Sequence, residues 1–109
     1  MKKIVALMLT VCMVLCSALA LAEEKTYQVG ICQLLQHPAL DEATRGFRDA
    51  LTEKLGDKVV FDEQNASGEA VNCATITNTF VSNGVDLIMA NATAALQAAY
   101  NATAEIPVL

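Results

Sequence analysis

From Tyr27 onward the apolar residues switch repeatedly between two spacings, and few folds accept a chain that does this. Tyr27-Gln-Val-Gly-Ile-Cys32 is a short β-prone run. Pro38 then suits the first turn of a helix, where its missing N–H costs nothing. Leu40, Ala43, Phe47, Leu51 and Leu55 recur at helical spacing, Asp41 and Glu42 favour the helix dipole, and Gly56 closes the helix. Lys58-Val-Val-Phe-Asp62 reads as a second strand, followed by a polar loop from Glu63 to Gly68. Ser67 is the expected N-cap of a second helix, with Ala70, Cys73, Ile76, Phe80 and Val81 as its apolar stripe and Asn83-Gly84 as its end. Val85-Asp-Leu-Ile-Met-Ala90 is a third strand. Asn91-Ala-Thr93 is a turn with Thr93 as N-cap, Ala94 to Asn101 a short helix, and Ile106 to Leu109 the start of a fourth strand. Strand and helix alternate at intervals of roughly 30 residues, the size of a strand–helix–strand unit. This predicts an α/β fold: a parallel sheet with helices on both faces. The strand runs are mostly apolar rather than alternating, as buried parallel strands require.

Ahead of this region stands a segment of another kind. Lys2 and Lys3 precede an apolar run from Ile4 to Leu15, and Ala20-Leu21-Ala22 precedes Glu23-Glu24. A basic start, an apolar centre and an A-x-A site are the layout of a secretory signal peptide. The apolar run is shorter than the roughly 20 residues a membrane span needs. Residues 1–22 are therefore expected to be a signal peptide, residues 23–109 the exported part, and the location extracytoplasmic. The chain stops just inside its fourth strand signal, which reads as the front part of a longer protein. Cys16 makes a poor lipid-anchor site, because Leu15 stands where a small residue is wanted.

Beyond the leader there are five basic residues against twelve acidic ones, so no cationic surface is expected for a nucleic-acid backbone. Cys32 and Cys73 are the two cysteines of this part. They are read as buried, unpaired thiols, with pairing in an oxidising compartment as the alternative.

In an open α/β sheet, ligands bind beyond the carboxyl ends of the strands. Those ends here are Gln33 to His37, Glu63 to Asn65, and Asn91 to Thr93. Amides and hydroxyls dominate, and such groups hydrogen-bond a small polar molecule without committing to one charge. The competing reading is that Asn65 and Thr93 only close turns and cap helices. Catalytic patterns are thin. There is no dinucleotide-binding or phosphate-binding glycine pattern and no G-x-S-x-G elbow. One His and two separated Cys make no recognisable zinc site, so no metal and no cofactor are expected. A Cys32–His37 thiolate pair is conceivable, and a buried Cys beside a loop His is favoured over it. Asn65, Asn91 and Asn101 each open an N-x-S/T sequon, which composition alone explains.

The run Gln33-x-x-x-His37-Pro38-x-Leu40-Asp41, with Val29-Gly-Ile before it and Gly46-Phe47 after it, resembles the start of bacterial ABC-transporter substrate-binding proteins. The similar subgroup is the one linked to tryptophan or tyrosine uptake. Asn65-Ala-Ser-Gly68, Val85-Asp-Leu-Ile88, Ala92-Thr93 and Ile106-Pro-Val108 agree with it. The family often has proline where Ala94 stands.

The resemblance implies a periplasmic-binding-protein-like fold of two α/β lobes, of which this chain supplies most of the first. It implies that Gln33, His37, Asn65, Asn91 and Thr93 form one wall of an interlobe cleft. It also implies a small-molecule ligand, an amino acid and possibly an aromatic one, delivered to a membrane permease. A monomer without enzymatic activity is expected. A ligand-sensing receptor ectodomain on the same fold is the alternative, and a thiol enzyme using Cys32 a remote third.

Overall fold

The computed structural model describes residues 4–8 and 25–109; 4–8 are helical, and the rest of the leader, with Cys12, Cys16 and the A-x-A site, lies outside the described residues. No helix among the described residues is long and apolar enough to cross a membrane. Within residues 25–109 three strands and three helices alternate: β1 (Tyr27–Gln33), α1 (Pro38–Leu55), β2 (Val59–Asn65), α2 (Ala70–Ser82), β3 (Leu87–Asn91) and α3 (Thr93–Ala102), with a 3-10 turn at Gly56–Lys58. β1 is central and pairs in parallel with β2 on one side and β3 on the other. The fourth strand signal is real as well. Val108 bridges Ile88 in parallel, with Ile88 N donating to Pro107 O at 3.0 Å and Leu109 N to Ile88 O at 2.9 Å.

The two faces of β1 carry separate cores. Val29 and Ile31, with Val59 of β2, pack under Phe47, Leu51 and Leu55 of α1. Cys32 points the other way, into a cluster with Cys73 and Phe80 of α2, Ile88 of β3, and Ala95 and Ala99 of α3. Helices therefore cover both faces, as the alternation of elements predicts. Small residues do the work where α3 meets the sheet: Ala95 and Ala99, both fully buried, let the helix lie close.

Local expectations fail where side-chain chemistry overrides spacing. β2 runs on to Asn65 instead of ending at Asp62, because Asp62 to Asn65 continue the register opposite Gly30 to Gln33. Glu63, Gln64 and Asn65 tolerate this because they remain exposed. Ser67 does not cap α2. It sits in a left-handed turn at φ 55 and donates its N–H to Asn65 Oδ1 at 2.8 Å, and the helix starts three residues later. Thr93 is the first residue of α3 rather than its cap. β3 begins at Leu87 because Val85 and Asp86 complete a turn: Val85 N donates to Phe80 O, and Asp86 N to Gln28 O. Ala43 and Ala70 face solvent, while the polar Thr44 and Thr77 take buried positions in α1 and α2. Gly56 does close α1, at φ 56 with its N–H on Thr52 O.

Of the glycines from Gly30 to Gly84, Gly30 alone is closely packed. A Cβ there would lie 2.6 Å from ring carbons of Phe80, and that ring is itself only 1% exposed and has nowhere to go. Replacing Gly30→Ala is expected to lower unfolding stability by about 1–3 kcal/mol in urea melts. The double variant Gly30→Ala/Phe80→Leu should recover part of that loss. A wild-type midpoint for Gly30→Ala would show that the sheet and α2 are not packed this closely.

Candidate functional site

The parallel register brings Gln33, Asn65 and Asn91 into one row: Gln33 pairs with Asn65 on β2 and with Asn91 on β3. Three amide side chains thus end the three strands side by side. Their fates differ. Gln33 and Asn91 are only 4% and 7% exposed, and both are bonded within the protein. Gln33 Nε2 donates to Asp41 Oδ1 at 2.7 Å and to Leu35 O at 2.8 Å. Its Oε1 accepts from Thr44 Oγ1 at 2.7 Å. Asn91 Nδ2 donates to the same Thr44 oxygen at 2.9 Å and to Leu40 O at 2.8 Å. One threonine hydroxyl therefore joins β1, β3 and α1, and the first turns of α1 are tied to the strand ends. The amides satisfy each other's needs in a place where an unpaired polar atom is costly.

Asn65 is exposed and shapes the turn that follows. Its Oδ1 holds Ser67 N, while Ala66 N and Gly68 N bond to Gln33 O and Leu34 O at 2.9 and 2.7 Å. His37 is the N-cap of α1, its Nδ1 accepting from Ala39 N at 3.1 Å. The amino ends of the other two helices differ from this one. Neither α2 nor α3 has a side-chain cap. Each leaves first-turn N–H groups at the carboxyl end of the sheet, where partial positive charge favours an anion.

Between Asn91 and Thr93 the backbone is strained. Ala92 has φ 94 and ψ 158, a region that essentially only glycine occupies at ease. Holding alanine there costs about 1–3 kcal/mol, and such strain clusters at ligand sites.

A cavity of about 510 Å³ opens where the end of β2 meets α1. Gln33 and Asn65 line it, together with Gln36, Asp41, Thr44, Arg45, Arg48, Glu63 and Gln64. His37, Asn91 and Thr93 do not: His37 caps its helix beside it, Asn91 lies beneath it, and Thr93 starts α3 beyond β3. Of the charged lining, the sequence places Glu63 at a strand end, while Asp41, Arg45 and Arg48 have no site role in it. Arg48 reaches Glu63 across the mouth, and Arg45 pairs with Glu42 along the helix. Asp41, Thr44, Arg45 and Arg48 share one side of α1 by their spacing of three and four residues. Helix periodicity could have flagged that face; their meeting with Glu63 depends on the register of β2. No group of His, Cys, Asp and Glu among the described residues could hold a metal ion.

Burial and the neighbouring Cys73 thiol push Cys32 up to about 12, so its thiolate is scarce at neutral pH. A thiol in that state is a poor nucleophile.

A parallel α/β unit with a polar rim at its strand ends can hold a small polar solute there. Comparison with known families agrees: residues 28–109 match the model of the ABC transporter substrate binding protein family, and the chain belongs to that family. A tyrosine-binding protein of Clostridioides difficile (strain R20291) is 44% identical over 89 residues, which are 79% of this chain and 26% of that protein. The ligand-free, open structure of a substrate binding protein with adhesive properties from Clostridium difficile is 40% identical, with a TM-score of 0.74 over 77% of this chain and 30% of that one. An ABC domain from Streptococcus pneumoniae in complex with L-Trp is 35% identical, with a TM-score of 0.73 over 77% of this chain and 29% of that one. The chain thus spans less than a third of the length of these relatives.

The Thr44 junction sets a stability test. Thr44→Val keeps the shape but leaves Gln33 Oε1 without its donor and one Asn91 N–H without its acceptor. A loss of about 2–3 kcal/mol is expected in denaturant melts, since each buried orphan costs about 1–3 kcal/mol. A loss under about 0.5 kcal/mol would mean that the junction does not hold α1 to the strand ends.

Proposed function

We propose that the protein is the solute-binding component of an ABC importer, that it works outside the cytoplasm, and that its solute is an amino acid with an aromatic side chain. In this reading residues 23–109 form most of the first of two lobes, and the guest is held between the lobes. Hinge closure on the guest is the signal read by a membrane permease. Gln33, His37, Asn65, Asn91 and Thr93 form this lobe's side of the cleft. Asn65 and Thr93 offer exposed polar groups to the guest, while Gln33 and Asn91 hold the rim in shape. The protein binds as a monomer and performs no chemistry.

The observation that carries the reading is the pairing of strain with free donors at one end of the sheet. Ala92 is held at φ 94 immediately before α3, and neither α2 nor α3 is capped by a side chain. The carboxylate of an amino acid suits such donors. The protonated amine finds acceptors in the acidic and amide groups near Asn65. The names of the relatives, one tyrosine-binding and one bound to L-Trp, supply the aromatic preference. The buried, protonated state of Cys32 supports binding over thiol catalysis.

Titration calorimetry on the whole protein with L-tyrosine and L-tryptophan tests this. Saturable binding of at least one is expected, and Asn65→Ala or Thr93→Ala should weaken it by about tenfold or more, equivalent to about 1.4 kcal/mol. Tyr100→Ala, on the outer face of α3, should leave it unchanged. Absence of binding to any amino acid would overturn the ligand class, and full affinity in both rim variants would overturn the site.

A further inference from the structure

Cys32 and Cys73 have no part in the solute site, yet the fold brings them together. Cys32 is the penultimate residue of β1 and Cys73 lies in the first turns of α2. Both are 0% exposed and belong to one buried cluster. Each is a free thiol, and the two are neighbours within that cluster. Ala66 and Phe80 pack in the same cluster, and among the described residues the two cysteines are the only ones. Forty residues separate them in the chain, including all of α1 and β2.

We propose that Cys32 and Cys73 form a disulfide when the chain folds in an oxidising environment, stapling the start of α2 to the end of β1 directly behind the Asn65–Gly68 turn. The oxidant is a disulfide, either of an oxidoreductase or of a small thiol. The Cys32 and Cys73 thiols each give up a proton and together give up two electrons. One S–S bond forms between them, and the oxidant's S–S bond breaks to give two thiols. Exchange takes place before the cluster closes. Once packed, the dithiol is shielded from solvent, and Cys32, pushed up to about 12 by burial and by Cys73, offers almost no thiolate to attack a disulfide. Bond formation is therefore coupled to folding. The extracytoplasmic location in the proposed function says only where the oxidant is met; the pairing itself does not depend on it.

The test is refolding of the full chain from the reduced, denatured state in a buffer of reduced and oxidised glutathione. Acid quenching and alkylation in denaturant follow, then intact mass and peptide mapping. The expected product carries a peptide pair joined through Cys32 and Cys73, with neither residue alkylated. Mapping separates this bond from any that involves Cys12 or Cys16. Native protein prepared under reductant and then given the same buffer should oxidise at least about a hundredfold more slowly, because its thiols are closed off. The oxidised form should melt at least about 5 °C higher than the reduced form, as expected for a long closed loop in a small domain. Refolded, folded-state protein with both thiols fully alkylated would overturn the proposal. So would disulfides that join either residue to glutathione instead of to each other. Cell fractionation tests location separately, so a cytoplasmic protein that still forms the bond on refolding would contradict the proposed location and leave the staple standing.

Discussion

The fold is organised around one hydroxyl. Thr44 Oγ1 gives its proton to Gln33 Oε1 and takes one from Asn91 Nδ2. Parallel strands leave their carboxyl ends open, and something must fix how far the next helix stands from them. Apolar contacts through Phe47, Leu51 and Leu55 hold the middle and far end of α1. Only the hydrogen-bonded group holds its start. Hydrophobic packing alone would allow the helix to slide by a fraction of a turn; a buried amide with two committed N–H groups does not. The depth of the cavity between α1 and β2 follows from that junction.

Strain and support then divide along the rim. Gln33 and Asn91 are spent on structure, and His37 closes its own helix. The groups that remain open are the Asn65–Gly68 turn and the uncapped starts of α2 and α3. Ala92 is kept in a glycine conformation between Asn91, which is anchored, and α3, which is packed through Ala95 and Ala99. Both neighbours are over-determined, and that is the condition under which a strained residue persists. In the proposed function, a rigid lobe of this kind leaves binding energy for hinge closure rather than for ordering its own loops.

Much of the fold was legible in the residues because it depends on periodicity. The alternation of elements, the helices on both faces and the end of α1 at Gly56 all follow from spacing and from one turn residue. The exceptions are polar side chains that can take either of two roles. Ser67 and Thr93 have the chemistry of caps, but Asn65 captured the N–H of Ser67, and Ala92 took the position before α3. Thr44 falls on the inward face of α1, where spacing alone favours an apolar residue. The site was half legible. That Gln33, Asn65 and Asn91 end adjacent strands follows from the order of elements; that Asn91 faces inward depends on Thr44 and Leu40, 47 and 51 residues away in the chain, and that Gln33 does depends on how α1 folds back to bring Asp41 and Thr44 to it. The Arg48–Glu63 pair was hidden for the same reason, since only strand register sets it.

A crystal structure of the whole protein with a bound aromatic amino acid tests the central claim most directly. The account predicts that this lobe meets the guest with the Asn65–Gly68 turn and the start of α3 at Thr93, and that the Gln33–Thr44–Asn91 junction lies intact below. A guest seated instead at the opposite end of the strands, around Tyr27, Leu55 and Asp86, would contradict it.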